Sequence, residues 1–190
     1  MAVAEPIRKL TEAEYFELER AAESKSEFFD GEIFAMSGGT PRHSQIGANL
    51  IGELRGLLRG GTCRPYTSDL RLKVEISGLI TYPDMSVVCG PLEFADGTDD
   101  TVVNPTLVAE VLSPGTEGCD RGRKFENYRL IPSLREYLLI RQDAPQIEQF
   151  IKSQRGEWTL RAASGTDASL ALSVGDVRLK LSEVYLDVVF

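Results

Sequence analysis

The stretch Thr106-Leu-Val-Ala-Glu-Val-Leu-Ser-Pro114 decides how the chain is read. Leu107 to Leu112 favour an apolar strand, and Ser113-Pro114 ends it. Apolar residues at successive positions, rather than alternate ones, mark a strand covered on both faces. Glu110 stands in the middle of that run. A carboxylate placed there is costly unless a lysine or arginine, a hydrogen-bond network, a proton or a metal ion compensates it. A second apolar strand, Tyr82–Cys89, poses the same problem, because Asp84 leads into Met-Ser-Val-Val-Cys.

The other elements follow from local signals. Thr11-Glu-Ala-Glu14 is a capping box opening a helix to about Ala22. Asp30-Gly31 between apolar pairs is a hairpin signal within Ser26–Met36. Thr40 caps a helix with Pro41 at its first position. Ile46, Leu50, Leu54, Leu57 and Leu58 give that helix one apolar stripe, and Gly60-Gly61 ends it. Cys63–Val74 reads as extended, with Leu70, Leu72 and Val74 on one face and Asp69, Arg71 and Lys73 on the other. Gly90–Asn104 reads as a polar loop, Asp120–Leu130 as a helix and Arg135–Arg141 as a strand. Gln146–Ile151 and Trp158–Ala162 form a C-terminal hairpin; Val177–Leu181 is a strand leading to a short helix at Ser182–Tyr185. The pattern predicts a single α/β (α+β) domain over residues 1–190, with helices packed on a mixed sheet.

At 190 residues the chain suits one domain with a proper core. Hydrophobic residues make up 42% and charged residues 26%, as in ordinary globular proteins. No apolar run reaches the roughly 20 residues that span a membrane. Met1–Pro6 has neither the cationic start nor the apolar core of a signal peptide. Three cysteines, Cys63, Cys89 and Cys119, are too few and too far apart for a full disulfide framework or a zinc ribbon. A reducing cytoplasm is the expected home. The net charge of −8 argues against a protein that coats nucleic acid by charge alone, though not against a local basic groove. Arg121, Arg123, Lys124 and Arg129 cluster, and Arg55, Arg59 and Arg64 form a looser group.

Two carboxylates brought together on neighbouring strands repel unless a cation sits between them. Mg²⁺ takes oxygen ligands and keeps waters, so Asp84 and Glu110 would suffice with water and a substrate phosphate. The plainer alternative is that each pairs with an arginine or caps a loop. Lys124, on the helix after the Glu110 strand, could reach back to the carboxylates and offset phosphate charge. Alternatively it forms an i,i+4 pair with Asp120 on a solvated helix face. Asp69 is a third acidic ligand or a surface residue, and Glu32 supports a metal through water or is an exposed strand carboxylate. His43, the sole histidine, contacts phosphate from the first turn of its helix or is structural. Ser113-Pro-Gly-Thr116 is an anion nest or a plain turn. Phosphate-loop and nucleophile-elbow motifs are absent from the sequence.

Pro83-Asp84, Glu110-Val-Leu-Ser-Pro-Gly-Thr116 and Asp120-Arg-Gly-Arg-Lys-Phe-Glu-Asn-Tyr128 together resemble the restriction-endonuclease-like family of the PD-(D/E)XK nuclease superfamily. The resemblance extends from Thr11 to about Tyr185 and takes in Phe29–Ile33, His43, Ser68-Asp69 and Ile131–Tyr137. It implies a core sheet of about four mixed strands between helices. It also implies hydrolysis of DNA phosphodiester bonds with Mg²⁺ or Mn²⁺. Asp84 matches the motif aspartate and Glu110 the second acidic ligand, with the Val111 carbonyl as a further metal ligand. The family's lysine falls at Leu112, so its role either moves to Lys124 or is lost. Asp69, Glu32 and His43 match family-like positions. Nucleases of this kind often act as homodimers, because two sites are needed to cut both strands. Two rivals stand beside the endonuclease: an inactive nucleic-acid or partner-binding module that kept the fold, and a metal-dependent hydrolase of another phosphate.

Overall fold

The computed structural model describes residues 9–190. The Met1–Pro6 start therefore lies outside the described residues. The elements run α1 (Glu12–Ala21), β1 (Ser26–Phe29), β2 (Glu32–Ala35), α2 (Pro41–Leu57), β3 (Cys63–Thr67), β4 (Arg71–Val74), β5 (Leu79–Thr81), β6 (Met85–Cys89), β7 (Thr101–Val102) and β8 (Leu107–Leu112). Then come α3 (Glu117–Cys119), a π-helical segment (Asp120–Lys124), α4 (Phe125–Tyr128), β9 (Glu136–Arg141), β10 (Gln146–Lys152), β11 (Trp158–Ser164), β12 (Ser169–Leu172), β13 (Val177–Lys180) and α5 (Leu181–Val184).

Two mixed sheets carry the fold. One has the order β2-β1-β5-β4-β7, the other β11-β10-β9-β8-β6-β3. In the larger sheet β8 and β9 are parallel, and the remaining neighbours are antiparallel. Side chains of β8 alternate between two cores. Leu107, Ala109 and Val111 pack with Ile46, Leu50 and Leu54 of α2. Val108 and Leu112 pack on the other face with Tyr128, Leu139 and residues of the smaller sheet. Period-two alternation therefore sends Glu110 to that second face, between the two sheets. The covering of β8 on both faces is what its continuous apolar run predicts.

Local signals explain the ends of elements. The capping box at Thr11 and Glu14 is formed, and Thr40 caps α2 through the His43 N–H. Asp30 and Gly31 both have positive φ, as the tight hairpin turn requires. Three expectations need correction. The loop Gly90–Asn104 contains a short strand, β7, paired in parallel with β4. Arg71 is buried rather than outward-facing; its Nε donates to the Tyr82 hydroxyl at 2.7 Å. Cys63 and Cys89 face each other across β3 and β6 and are joined by a disulfide. A reducing home would leave both as thiols, and a sequence separation of 26 gives no hint of the strand register that brings them together.

Glu136, at the head of β9, is buried outside the functional region. Its Oε1 accepts from Ser173 N at 2.8 Å and Gln149 Nε2 at 3.1 Å, while Oε2 has no hydrogen-bond partner among the described residues. Burial raises its pKa, against the opposing hydrogen bonds from Ser173 and Gln149. A folded pKa above the unfolded one gives stability that is full below the ordinary carboxylate range and lost as pH rises through the raised value. Glu136→Gln removes that titration, so its stability should fall less than wild type's as pH rises above the ordinary carboxylate range. Thermal melts over that rise in pH check this; parallel curves would refute it.

Candidate active site

The site forms where β6 begins beside the end of β8. Pro83 interrupts the strand read over Tyr82–Cys89, so Asp84 precedes β6 rather than lying within it. Its backbone N–H donates to Glu110 Oε2 at 3.1 Å, and its Oδ2 accepts the Val111 N–H at 2.7 Å. The two carboxylates therefore lie side by side. Among the described residues, Asp84 Oδ2 also contacts His43 Nε2 at 3.2 Å. The Asp84 hydrogen bond raises the His43 pKa; burial opposes this, and a bond to the Val111 backbone adds to it.

Glu110 is 3% exposed. Its Oε1 accepts from the Tyr128 hydroxyl at 2.8 Å and Lys124 Nζ at 3.1 Å. Burial raises the Glu110 pKa, Lys124 opposes that rise, and Asp84 and Asp120 add to it. Burial also pushes the Tyr128 phenol well up, keeping it a donor. Lys124 lies 3.0 Å from Glu27 Oε1, 3.1 Å from Glu110 Oε1 and 3.4 Å from Asp120 Oδ1. Burial alone would lower its pKa, but these carboxylates raise it well above the usual lysine value.

The π-helical segment delivers Asp120 and Lys124 together. It spans Asp-Arg-Gly-Arg-Lys, with Gly122 at its centre. One-turn π segments inside helices recur at functional sites. Here both ends face inward, which corrects the reading of an i,i+4 pair on a solvated face: Asp120 is 2% and Lys124 8% exposed. Burial raises the Asp120 pKa, and Lys124 limits the rise. Asp120 Oδ1 is buried without a hydrogen-bond partner among the described residues.

Asp69 is outside this cluster. It is exposed on the β3–β4 turn and paired with Lys25. That lysine holds the Asp69 carboxyl below the usual range. Asp69→Asn should therefore leave metal binding and any cleavage within about twofold of wild type, the surface pair being worth about 1 kcal/mol or less. Isothermal titration with Mn²⁺ checks this; a tenfold loss would restore Asp69 to the site. Glu32 is likewise exposed on β2. The hairpin contributes Glu27 instead, which accepts from the Thr81 hydroxyl at 2.6 Å. Period-two reading of Ser26–Phe29 would have found it, since buried Phe28 points one way and Glu27 the other.

The donor chemistry fits a hard divalent cation. Asp84, Glu110, Asp120 and Glu27 surround one ammonium and one imidazole, an excess of negative charge. Among the described residues no group of three or more His, Cys, Asp or Glu is placed to hold a metal. Two carboxylates with water and substrate oxygens are nevertheless an ordinary Mg²⁺ shell. The Val111 carbonyl can join them, although it serves His43 here. A cleft of about 680 Å³ opens onto Asp84 and His43.

Comparison with known proteins bears on this geometry. Two uncharacterized proteins of Synechocystis sp. are similar to the chain along most of their length. The protein slr1290 is 36% identical over 170 residues, covering 90% of this chain and 88% of its own. The protein sll1609 is 36% identical over 173 residues, covering 91% and 98%. A crystal structure titled "a putative nuclease belonging to DUF820", from Anabaena variabilis ATCC 29413, superposes with a TM-score of 0.74. It covers 91% of this chain and 96% of that one at 17% identity, a likeness of fold. The Uma2 family model, described as "Putative restriction endonuclease", matches residues 12–182. With its α+β architecture of mixed sheets and nearly full-length match, the chain belongs to the Uma2 restriction-endonuclease-like family.

Proposed function

We propose that the protein is a Mg²⁺-dependent endonuclease that hydrolyses DNA phosphodiester bonds. The observation that carries this reading is the clasp between Asp84 and Glu110, with Lys124 held at 3.1 Å on the same carboxylate. Asp84 and Glu110 would hold the cation, with the Val111 carbonyl joining if His43 yields it. Bound there, Mg²⁺ or Mn²⁺ would supply Lewis-acid polarisation of a phosphoryl oxygen and a lowered pKa for water. Lys124 would hold the attacking water and offset phosphate charge. Its three protons face three carboxylates, so binding water or phosphate means giving up one of them. Asp120, the most distant at 3.4 Å, is the one to release. His43 borders the open cleft and can donate to a phosphate oxygen once it leaves Asp84.

A homodimer would supply the second site for a double-strand cut. A single domain over residues 1–190 and a cytoplasmic location complete the proposal. In that compartment Cys63 and Cys89 would be thiols. Plasmid nicking in Mg²⁺ tests the activity: wild type should nick, and Asp84→Ala, Glu110→Ala and Lys124→Ala should not. Equal activity in all four proteins would refute the assignment.

A second reading, a non-catalytic module on the same fold, is favoured by Leu112 at the usual lysine position and by the saturation of Lys124 with carboxylates. It predicts no carboxylate-dependent Mn²⁺ binding, whereas the nuclease requires it.

A further inference from the structure

A second concavity, with a different lining, lies further along α2 and β3 from the cleft at Asp84. On α2, Ser44, Ala48, Ile51 and Arg55 recur at helical spacing and share one face, and Arg59 follows just past the helix end. The first three border the cleft at Asp84. Arg55 and Arg59 border a second hollow of about 270 Å³, together with Arg64 of β3. Strand β3 runs beside α2 and spans the same two openings, with Thr67 at the first and Cys63 to Pro65 at the second. The register Thr67↔Met85 and Cys63↔Cys89 places the second opening at the far end of β6 from Asp84. Five strand residues at about 3.3 Å each separate the two ends by roughly 16 Å.

The charge along this lane is uneven. Apart from His43, whose ring meets Asp84 at 3.2 Å, the part next to the carboxylates carries small or uncharged side chains on α2. The far part carries three exposed arginines and no acidic residue in its lining. Arg64 Nη1 donates to the Gly61 and Cys63 carbonyls at 2.6 and 2.9 Å. Among the described residues, Arg55, Arg59 and Arg64 form no ion pair with a carboxylate. This is conspicuous in a chain of net charge −8. A polyanion repelled by most of the surface would be drawn to this end and aligned by it.

Resting on the nuclease reading, we propose that the lane between α2 and β3 holds the phosphate backbone of the DNA strand being cut. Arg55, Arg59 and Arg64 grip phosphates at one end while the scissile phosphate lies at Asp84. Successive phosphates of one strand wind around the helix axis as well as rising about 3.4 Å along it, so the grip lies roughly two to three nucleotides from the cut. Guanidinium groups suit phosphate because their planar fork can donate two hydrogen bonds at once. The antiparallel pairing of β3 with β6, from Thr67↔Met85 to Cys63↔Cys89, fixes the spacing of grip and cut.

The test is binding of a short fluorescent DNA oligonucleotide, single-stranded and duplex, by anisotropy in EDTA over a series of salt concentrations. It uses the triple variant Arg55→Ser, Arg59→Ser, Arg64→Ser. A control of equal charge loss carries Arg155→Ser, Arg161→Ser and Arg178→Ser, all exposed residues away from the lane. The lane variant should bind roughly tenfold more weakly, and its slope of log affinity against log salt should be shallower by roughly 2–3. The control should stay within about twofold of wild type. Unchanged binding by the lane variant, or an equal loss in the control, overturns the track and leaves the nuclease assignment standing. If wild type binds neither form of DNA, the nuclease reading itself fails, and the track with it.

Discussion

Lys124→Met should destabilise the fold by about 3–5 kcal/mol, the usual cost of leaving a buried charge without its partner. The substitution keeps the length and apolar stem of the side chain and removes only the ammonium. That ammonium is the common partner of Glu27, Glu110 and Asp120, whose side chains are at most 12% exposed. Without it, three carboxylates crowd a space from which water is largely excluded, and nothing else among the described residues neutralises them. Urea unfolding should show a lower midpoint at an unchanged slope, since the surface exposed on unfolding is the same. Added Mg²⁺ should recover part of the loss, because a divalent ion bound to the folded state alone raises its stability. Lys124→Arg should not restore wild-type behaviour. A planar fork cannot point at three carboxylates arranged around a compact ammonium. A Lys124→Met protein as stable as wild type would mean that the cluster is not ionised as described.

The second large effect separates chemistry from folding. Asp84→Asn should abolish cleavage, by more than the roughly 10–100-fold typical of losing a partner outside the metal shell. It should cost no more than about 1 kcal/mol of stability, because the amide oxygen can still accept the Val111 N–H. Asp84 borders the open cleft, so the substitution buries no new polar group. Glu110→Gln should abolish cleavage as well, but with a stability change of mixed origin. It relieves the burial of a carboxylate and deprives Lys124 of one of its three partners. Nicking assays beside urea melts distinguish the two roles. Loss of activity accompanied by a collapse in stability for Asp84→Asn would place this aspartate in the scaffold instead.

What the sequence made legible followed from burial. Glu110 could be singled out because an acid in a continuous apolar run has few explanations, and β8 is covered on both faces. The same argument placed Asp84 near it, although Pro83 moves that residue to the entrance of β6. The capping box at Thr11, the Thr40 cap, the Asp30-Gly31 turn and the β10–β11 hairpin are short-range features, and each formed where its residues predicted. What stayed hidden depends on how distant segments meet. An i,i+4 pair such as Asp120 and Lys124 looks alike on a wet face and a buried one; the π-helical segment and the facing sheet make it buried. Glu27 lies three residues before the Asp30-Gly31 turn and Glu32 directly after it, and the turn signal alone does not say which of the two faces inward. Arg71 sat in an alternating run that assigned it outward, but Tyr82 and Thr101 close over it. The Cys63–Cys89 pairing needs strand register, which spacing alone does not contain.

The clearest measurement is the anomalous scattering of a crystal soaked in Mn²⁺. A peak within coordination distance of both the Asp84 and Glu110 carboxylates, lost in Asp84→Asn, is the result this account predicts. Density showing those two side chains still clasped with no ion beside them, or manganese bound elsewhere on the chain, would contradict it.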